Sequence, residues 1–169
     1  MGISSALAQV VPATLRYTVM LQFLGFLKIP LIFFIRPRVV IFDDQQCVLK
    51  VSLRRRVKNH LNSMYFGALA IAAECAGGVA ALKAINDSGK AVSLVFKDFS
   101  ASFIKRADSD TYFTCKDVAA IQALIADTIQ SGERRQLTFA VIATCPDRFG
   151  EQPVANFQVT VSVKHTLKI

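Results

Sequence analysis

The chain has 169 residues, 53% of them hydrophobic, with 13 phenylalanines, no tryptophan and a net charge of +8 from 20 basic against 12 acidic residues. That length is the length of a single domain and is enough to bury a real core. The basic balance suits anionic partners, from phosphorylated small molecules to acidic lipid surfaces and nucleic acid, without choosing among them.

Two further counts narrow the chemistry. Cys47, Cys75, Cys115 and Cys145 lie far apart with no paired metal-binding or redox spacing, which argues for a reduced cytoplasmic protein with buried thiols. His60 and His165 are the only imidazoles, so no metal site is expected.

Helical patterning begins at Ser4 or Ser5, with Leu15, Val19, Phe23 and Leu27 at intervals of four, and ends before Pro30. The apolar run Thr18 to Ile35 falls short of the roughly 20 residues that span a bilayer and contains Gln22, Lys28 and Pro30. It also lacks the flanks of a signal peptide. A helix packed on the domain is expected, with contact to a membrane surface as the weaker reading. Pro30 and Pro37 bracket a connection into a strand.

Val39 to Phe42 and Cys47 to Leu53 read as a hairpin broken at Asp43-Asp44-Gln45. Arg54, Arg55, Arg56 and Lys58 follow, either as a solvated loop or as a phosphate-binding run, since arginine presents a planar fork to phosphate oxygens. No aromatic residues interleave with them, so nucleic acid is not an expected partner.

The stretch Asn59 to Ile85 reads as a buried helix, with Ala68, Ala72, Ala76, Ala80 and Ala84 recurring every fourth residue. Glu74 is its single acid, surrounded by Gly67, Ala70, Gly77, Gly78 and Ala81. A buried carboxylate is costly unless it is paired, hydrogen-bonded or protonated, so Glu74 awaits a structural partner or a substrate. Asn59 is a favoured helix cap, Tyr65 an aromatic for core or interface, and His60 a surface imidazole. Gly77 and Gly78 permit either close packing or room for a ligand.

Asn86 to Gly89 stops that helix. Ala91 to Phe96 reads as a strand, continued by Lys97 to Lys105, and Tyr112 to Cys115 as another. Asp117 caps a helix with an apolar stripe at Val118, Ile121, Leu124, Ile125 and Ile129, stopped by Gly132. Gln136 to Cys145 and Val154 to Val163 are long strands parted by Pro146 to Gly150. Short turns between strands imply an antiparallel sheet in an α+β domain, curved around the small-residue helix.

This order, with Asn59, Gly67, Leu69 and Glu74, resembles the hotdog-fold acyl-CoA thioesterases, in the branch typified by the phenylacetic acid degradation thioesterase. That branch carries an Asn, then six residues on a His-Gly-Gly, then a carboxylate on the central helix. Tyr65 stands at the His position and Phe66 at the first Gly. The segment Lys97 to Asp110 is similar to the family's strand and turn. The likeness covers Val39 to Val163, and the RPRVV lead with RRRVKNHLNSMYFGALAIAAE is more similar still to a poorly characterised bacterial thioesterase-like branch.

The resemblance implies a hotdog fold over residues 1–169, with residues 1–37 as N-terminal helix and lead-in and residues 38–165 as the core. It implies a thioester hydrolase whose catalytic carboxylate is Glu74, aided by Asn59 and Tyr65, with the backbone N–H groups of Phe66 and Gly67 as oxyanion site. Arg54, Arg55, Arg56 and Lys58 would meet the phosphates of coenzyme A. It further implies a homodimer, or a dimer of dimers, with the site between subunits and no metal or other cofactor. A non-catalytic protein that binds acyl-CoA or an acyl carrier in the same cleft is the alternative.

Overall fold

The computed structural model describes residues 12–166. The helix start expected at Ser4 or Ser5 lies outside them. Helix α1 covers Ala13–Leu27 and α2 covers Pro30–Ile35. The sequence reading made the second segment a connection. Pro30 instead occupies the first turn of a short helix, where its fixed φ and missing N–H cost nothing. The two helices touch where Gly25 meets Phe33, since a Cβ at Gly25 would lie 2.5 Å from the Phe33 backbone nitrogen. Leu21 and Gly25 are buried against the domain. The stripe read from the sequence, Leu15, Val19, Phe23 and Leu27, points outward and is exposed.

Strands β1 (Arg38–Phe42) and β2 (Cys47–Val51) form the expected hairpin. Asp43 holds its turn, with Oδ1 accepting the N–H groups of Gln45 and Gln46 at 2.8 Å each. A 3-10 turn at Arg55–Val57 leads to helix α3, Phe66–Ser88, closed by Gly89 in the left-handed region at φ 62°. The helix therefore starts seven residues later than Asn59, and residues 59–64 form a turn. After it come β3 (Val92–Phe103), β4 (Thr111–Cys115), α4 (Val118–Ser131), β5 (Arg135–Thr144), a single helical turn α5 (Pro146–Phe149) and β6 (Pro153–His165).

Among the described residues six strands form one sheet in the order β1-β2-β4-β5-β6-β3, and every neighbouring pair is antiparallel. The sheet curves around α3, as the sequence implied. Phe113 and Cys115 of β4, Phe139 and Val141 of β5, and Phe157 and Val159 of β6 are buried at alternate positions, the period of a strand with one covered face. Ala68, Ala72, Ala76 and Ala80 meet them with almost no exposure. Gly77 lies so close to the Phe139 ring that any Cβ there would collide with it. The small side chains thus let a helix sit inside the sheet's curve. By length and composition α3 could cross a membrane, but 56% of its apolar window is buried inside the protein, as in the core helix of a soluble fold.

Among the described residues strand β3 sits at the end of the sheet and pairs on one side only, with β6 from Val92↔His165 to Phe103↔Ala155. Val95, Phe96, Phe99 and Phe103 on it are exposed, an apolar edge of the kind that proteins normally cover.

Candidate active site

The start of α3 is built by the loop before it. Oδ1 of Asn59 accepts from the N–H of Leu61 at 2.9 Å, the N–H of Ser63 at 3.2 Å and the Ser63 hydroxyl at 3.2 Å. Asn59 is therefore the organiser of the 59–63 turn rather than a cap of the helix, and Asn62 takes the left-handed conformation that the turn needs, φ 62°. The Asn59 Nδ2 has no partner among the described residues. The Val57 carbonyl accepts the N–H of Tyr65, and the Ala107 carbonyl that of Met64, both at 2.8 Å, which ties the helix start to two other segments.

Tyr65 occupies the N-cap position without capping through its side chain. Its ring lies over Gly67, where a Cβ would be 2.7 Å from the ring, and packs against Phe66 at 4.7 Å between centroids. The Tyr65 carbonyl accepts the N–H groups of Ala68 and Leu69. Those of Phe66 and Gly67 have no partner among the described residues, and they stand at the positive end of a 23-residue helix. Asn59, His60, Tyr65 and Phe66 line a cleft of about 610 Å³ with Phe103, Ile104, Lys105 and Arg106 from the end of β3 and beyond.

Glu74 faces a different cleft, of about 350 Å³, between α3, the two N-terminal helices and the start of β3. Leu21 and Leu24 of α1, Ile29 and Ile32 beside and within α2, Leu82 of α3 and Leu94 of β3 make its walls apolar, and Gly78 leaves space there, with nothing within 4 Å of a Cβ. Glu74 is half-buried and makes no ion pair or side-chain hydrogen bond among the described residues. Burial raises its pKa above the ordinary 4.5. Cys75, the one other titratable residue lining the cleft among the described residues, is buried and its thiol is pushed far up, so it stays protonated and is no nucleophile.

Within one copy of the chain these groups do not meet. Phe66 and Glu74 are eight residues apart on α3, about 12 Å of helix rise, and their clefts share no lining residue. The basic run divides too. Arg54 and Arg56 join Arg36 and Arg38 in a third cleft, with Ile35 and Ser52, whereas Arg55 and Lys58 do not line it. Arg36 and Arg38 escaped the sequence reading. The hairpin register that opposes Arg38 to Lys50 is what returns them to the Ser52–Arg56 segment. The four cysteines are free and buried.

Residues 19–163 match the family model described as a domain of unknown function (DUF4442). Solved structures share the fold at low sequence identity. A protein from Shewanella oneidensis, described as a candidate thioesterase, aligns over 89% of this chain and 99% of its own, with 16% identity and a TM-score of 0.73. A probable thioesterase from Pseudomonas aeruginosa aligns over 88% and 96%, with 21% identity and a TM-score of 0.70. A thioesterase from Haemophilus influenzae aligns over 82% and 85%, with 12% identity and a TM-score of 0.60. The fold is that of the hotdog thioesterases. No curated protein sequence matches the chain.

Proposed function

The chain belongs to the family described as a domain of unknown function (DUF4442), and from its site geometry we propose that it is a cytoplasmic acyl-CoA thioesterase acting as a homodimer. The observation that carries this reading is Glu74, an unpaired, half-buried carboxylate at the wall of an apolar cleft large enough for an acyl chain. The thioesterase names of the structural neighbours support it.

In the proposed reaction ionised Glu74 takes a proton from water as the water oxygen bonds to the thioester carbonyl carbon. Negative charge then develops on the carbonyl oxygen, where the free N–H groups of Phe66 and Gly67 offer two donors and the helix dipole. Collapse breaks the carbon–sulfur bond, and the departing coenzyme A thiolate takes the proton from Glu74. A pKa raised by burial makes Glu74 a stronger base than an ordinary carboxylate. In this reading the unpartnered Nδ2 of Asn59 orients the carbonyl or the water, and the Tyr65 hydroxyl is a further donor; both residues line that cleft.

Such a reaction needs base and oxyanion donors within a few ångströms of one carbonyl, and one chain keeps them about 12 Å apart along the helix. The free edge of β3 supports a two-copy site. Val92, Leu94 and Phe96 line the Glu74 cleft, while Phe103 at the other end of the strand lines the Asn59 cleft. Antiparallel pairing of two β3 strands about a two-fold axis would set the Glu74 cleft of one copy beside the Phe66 cleft of the other.

The test is hydrolysis of a panel of acyl-CoA esters of graded chain length, followed by thiol release. Glu74→Ala should keep the fold and lose at least about a hundredfold in kcat, the range of general-base catalysis. Unchanged turnover in that variant contradicts the proposal. Wild-type protein that binds every ester yet releases no thiol would instead mark a non-catalytic acyl-CoA or acyl-carrier binding protein.

A further inference from the structure

Four exposed arginines line one small cleft, from segments far apart in the chain: Arg36 at the end of α2, Arg38 at the first position of β1, Arg54 after β2 and Arg56 in the 3-10 turn. None of the four makes an ion pair with an acidic group among the described residues, whose ion pairs engage Asp87, Asp108, Asp110 and Glu133. Asp110, whose carboxylate accepts the N–H of Leu53 beside the cleft, is held by Lys50 at 2.8 Å. Mutual repulsion in such a cluster is relieved only by solvent or by an anion.

The cluster is also held in shape. Arg36 adopts the left-handed conformation, φ 53°, an uncommon and mildly strained backbone for a residue with a side chain. It closes α2 there by donating its N–H to the Ile32 carbonyl at 3.1 Å, while its guanidinium stacks over the Phe33 ring at 5.5 Å from the centroid. Arg56 lies in a turn tied to the start of α3 through the Val57–Tyr65 hydrogen bond.

We infer that the cleft of Arg36, Arg38, Arg54 and Arg56 binds a phosphate monoester or diphosphate group, the planar forks meeting the phosphate oxygens in pairs. As a phosphate site it stands on its own geometry. As a subsite for the nucleotide end of coenzyme A it rests on the thioesterase reading, with Arg36 and Arg38 added to it and Arg55 and Lys58 left out. Leu31 and Phe34 are exposed on α2, the helix whose last residue, Ile35, lines the cleft, so a phospholipid headgroup is the other carrier of the same chemistry.

The test titrates the full chain with inorganic pyrophosphate and with adenosine 3′,5′-bisphosphate by calorimetry. Comparators are Arg36→Gln/Arg54→Gln and a control pair of equal charge loss, Lys90→Gln/Lys116→Gln, with folds checked by circular dichroism. Wild type should bind saturably, the arginine pair should weaken binding about tenfold or more, equivalent to about 1.4 kcal/mol, and the control pair should change it less than about twofold. No saturable binding, or equal weakening by both pairs, overturns the inference.

Two further arms assign the carrier once binding is found. For coenzyme A, the arginine pair lowers the ratio of kcat/KM for an acyl-CoA to that for the matching acyl-N-acetylcysteamine, which lacks phosphate. For a lipid, wild type sediments with phosphatidylglycerol vesicles but not phosphatidylcholine ones, and pyrophosphate or the arginine pair abolishes it. Either result supports the phosphate site, and the calorimetry decides it even where no thioester is hydrolysed.

Discussion

Burial raises the pKa of Glu74, and nothing among the described residues offsets that by pairing with it. The folded chain therefore holds a proton at this site more tightly than the unfolded chain does. The protonated form is favoured by folding below the unfolded value, near the ordinary 4.5, and that benefit is lost as pH rises through the folded pKa. Glu74→Gln should accordingly make the protein more stable than wild type at pH 7, with the difference shrinking as pH falls toward about 4; paired urea denaturation curves at the two pH values check this. A destabilised residue at a candidate catalytic position is the pattern of a site kept for function. The adjacent glycines separate packing from site. Gly77→Ala drives a methyl into Phe139 and should cost about 1–3 kcal/mol. Gly78→Leu enters the open cleft, so it should leave the melting temperature nearly unchanged while abolishing turnover of long-chain esters and sparing acetyl-CoA.

The elements show what the sequence could disclose and what it could not. The four-residue alanine spacing of α3 and the strand alternations were readable because burial period follows directly from helix and strand geometry. The helix start was misplaced because residues 59–64 are as uncharged as the helix that follows. What breaks the helix there is the Asn59 turn, a hydrogen-bond pattern with no hydropathy signature. Glu74 stood out as the one acid in an apolar segment, whereas its cleft did not, since its other walls come from α1, α2 and β3. Arg36 and Arg38 were invisible as part of a cluster for the same reason. Strand β3 read as an ordinary strand with a continuation, and only the strand order puts it at the edge with its apolar residues bare. Lysine on an edge strand opposes strand addition. Val95→Lys, at a position 53% exposed, should leave the monomer folded, shift it to monomer in size-exclusion chromatography and remove hydrolysis in the same step. A monomer with full activity would separate the site from the edge.

At the level of the molecule, one sheet curled around one helix leaves two clefts at opposite ends of one edge strand, one lined by Glu74 and the other by Asn59, Tyr65 and Phe66. In the proposed dimer two copies complete each other, and this can be read by subunit complementation. Glu74→Gln removes the base. Phe66→Pro removes one oxyanion N–H at the first helical position, where proline is tolerated, and the preceding Tyr65 already has φ −66° and ψ 138° as proline requires. Phe66→Ala controls for loss of the ring. Each variant alone should be inactive as a homodimer. Equal amounts, unfolded together and refolded, give half heterodimers with one intact site each, so the mixture should recover about a quarter of wild-type specific activity. A mixture that stays as inactive as its parents, with heterodimers verified by mass spectrometry, would contradict the shared site.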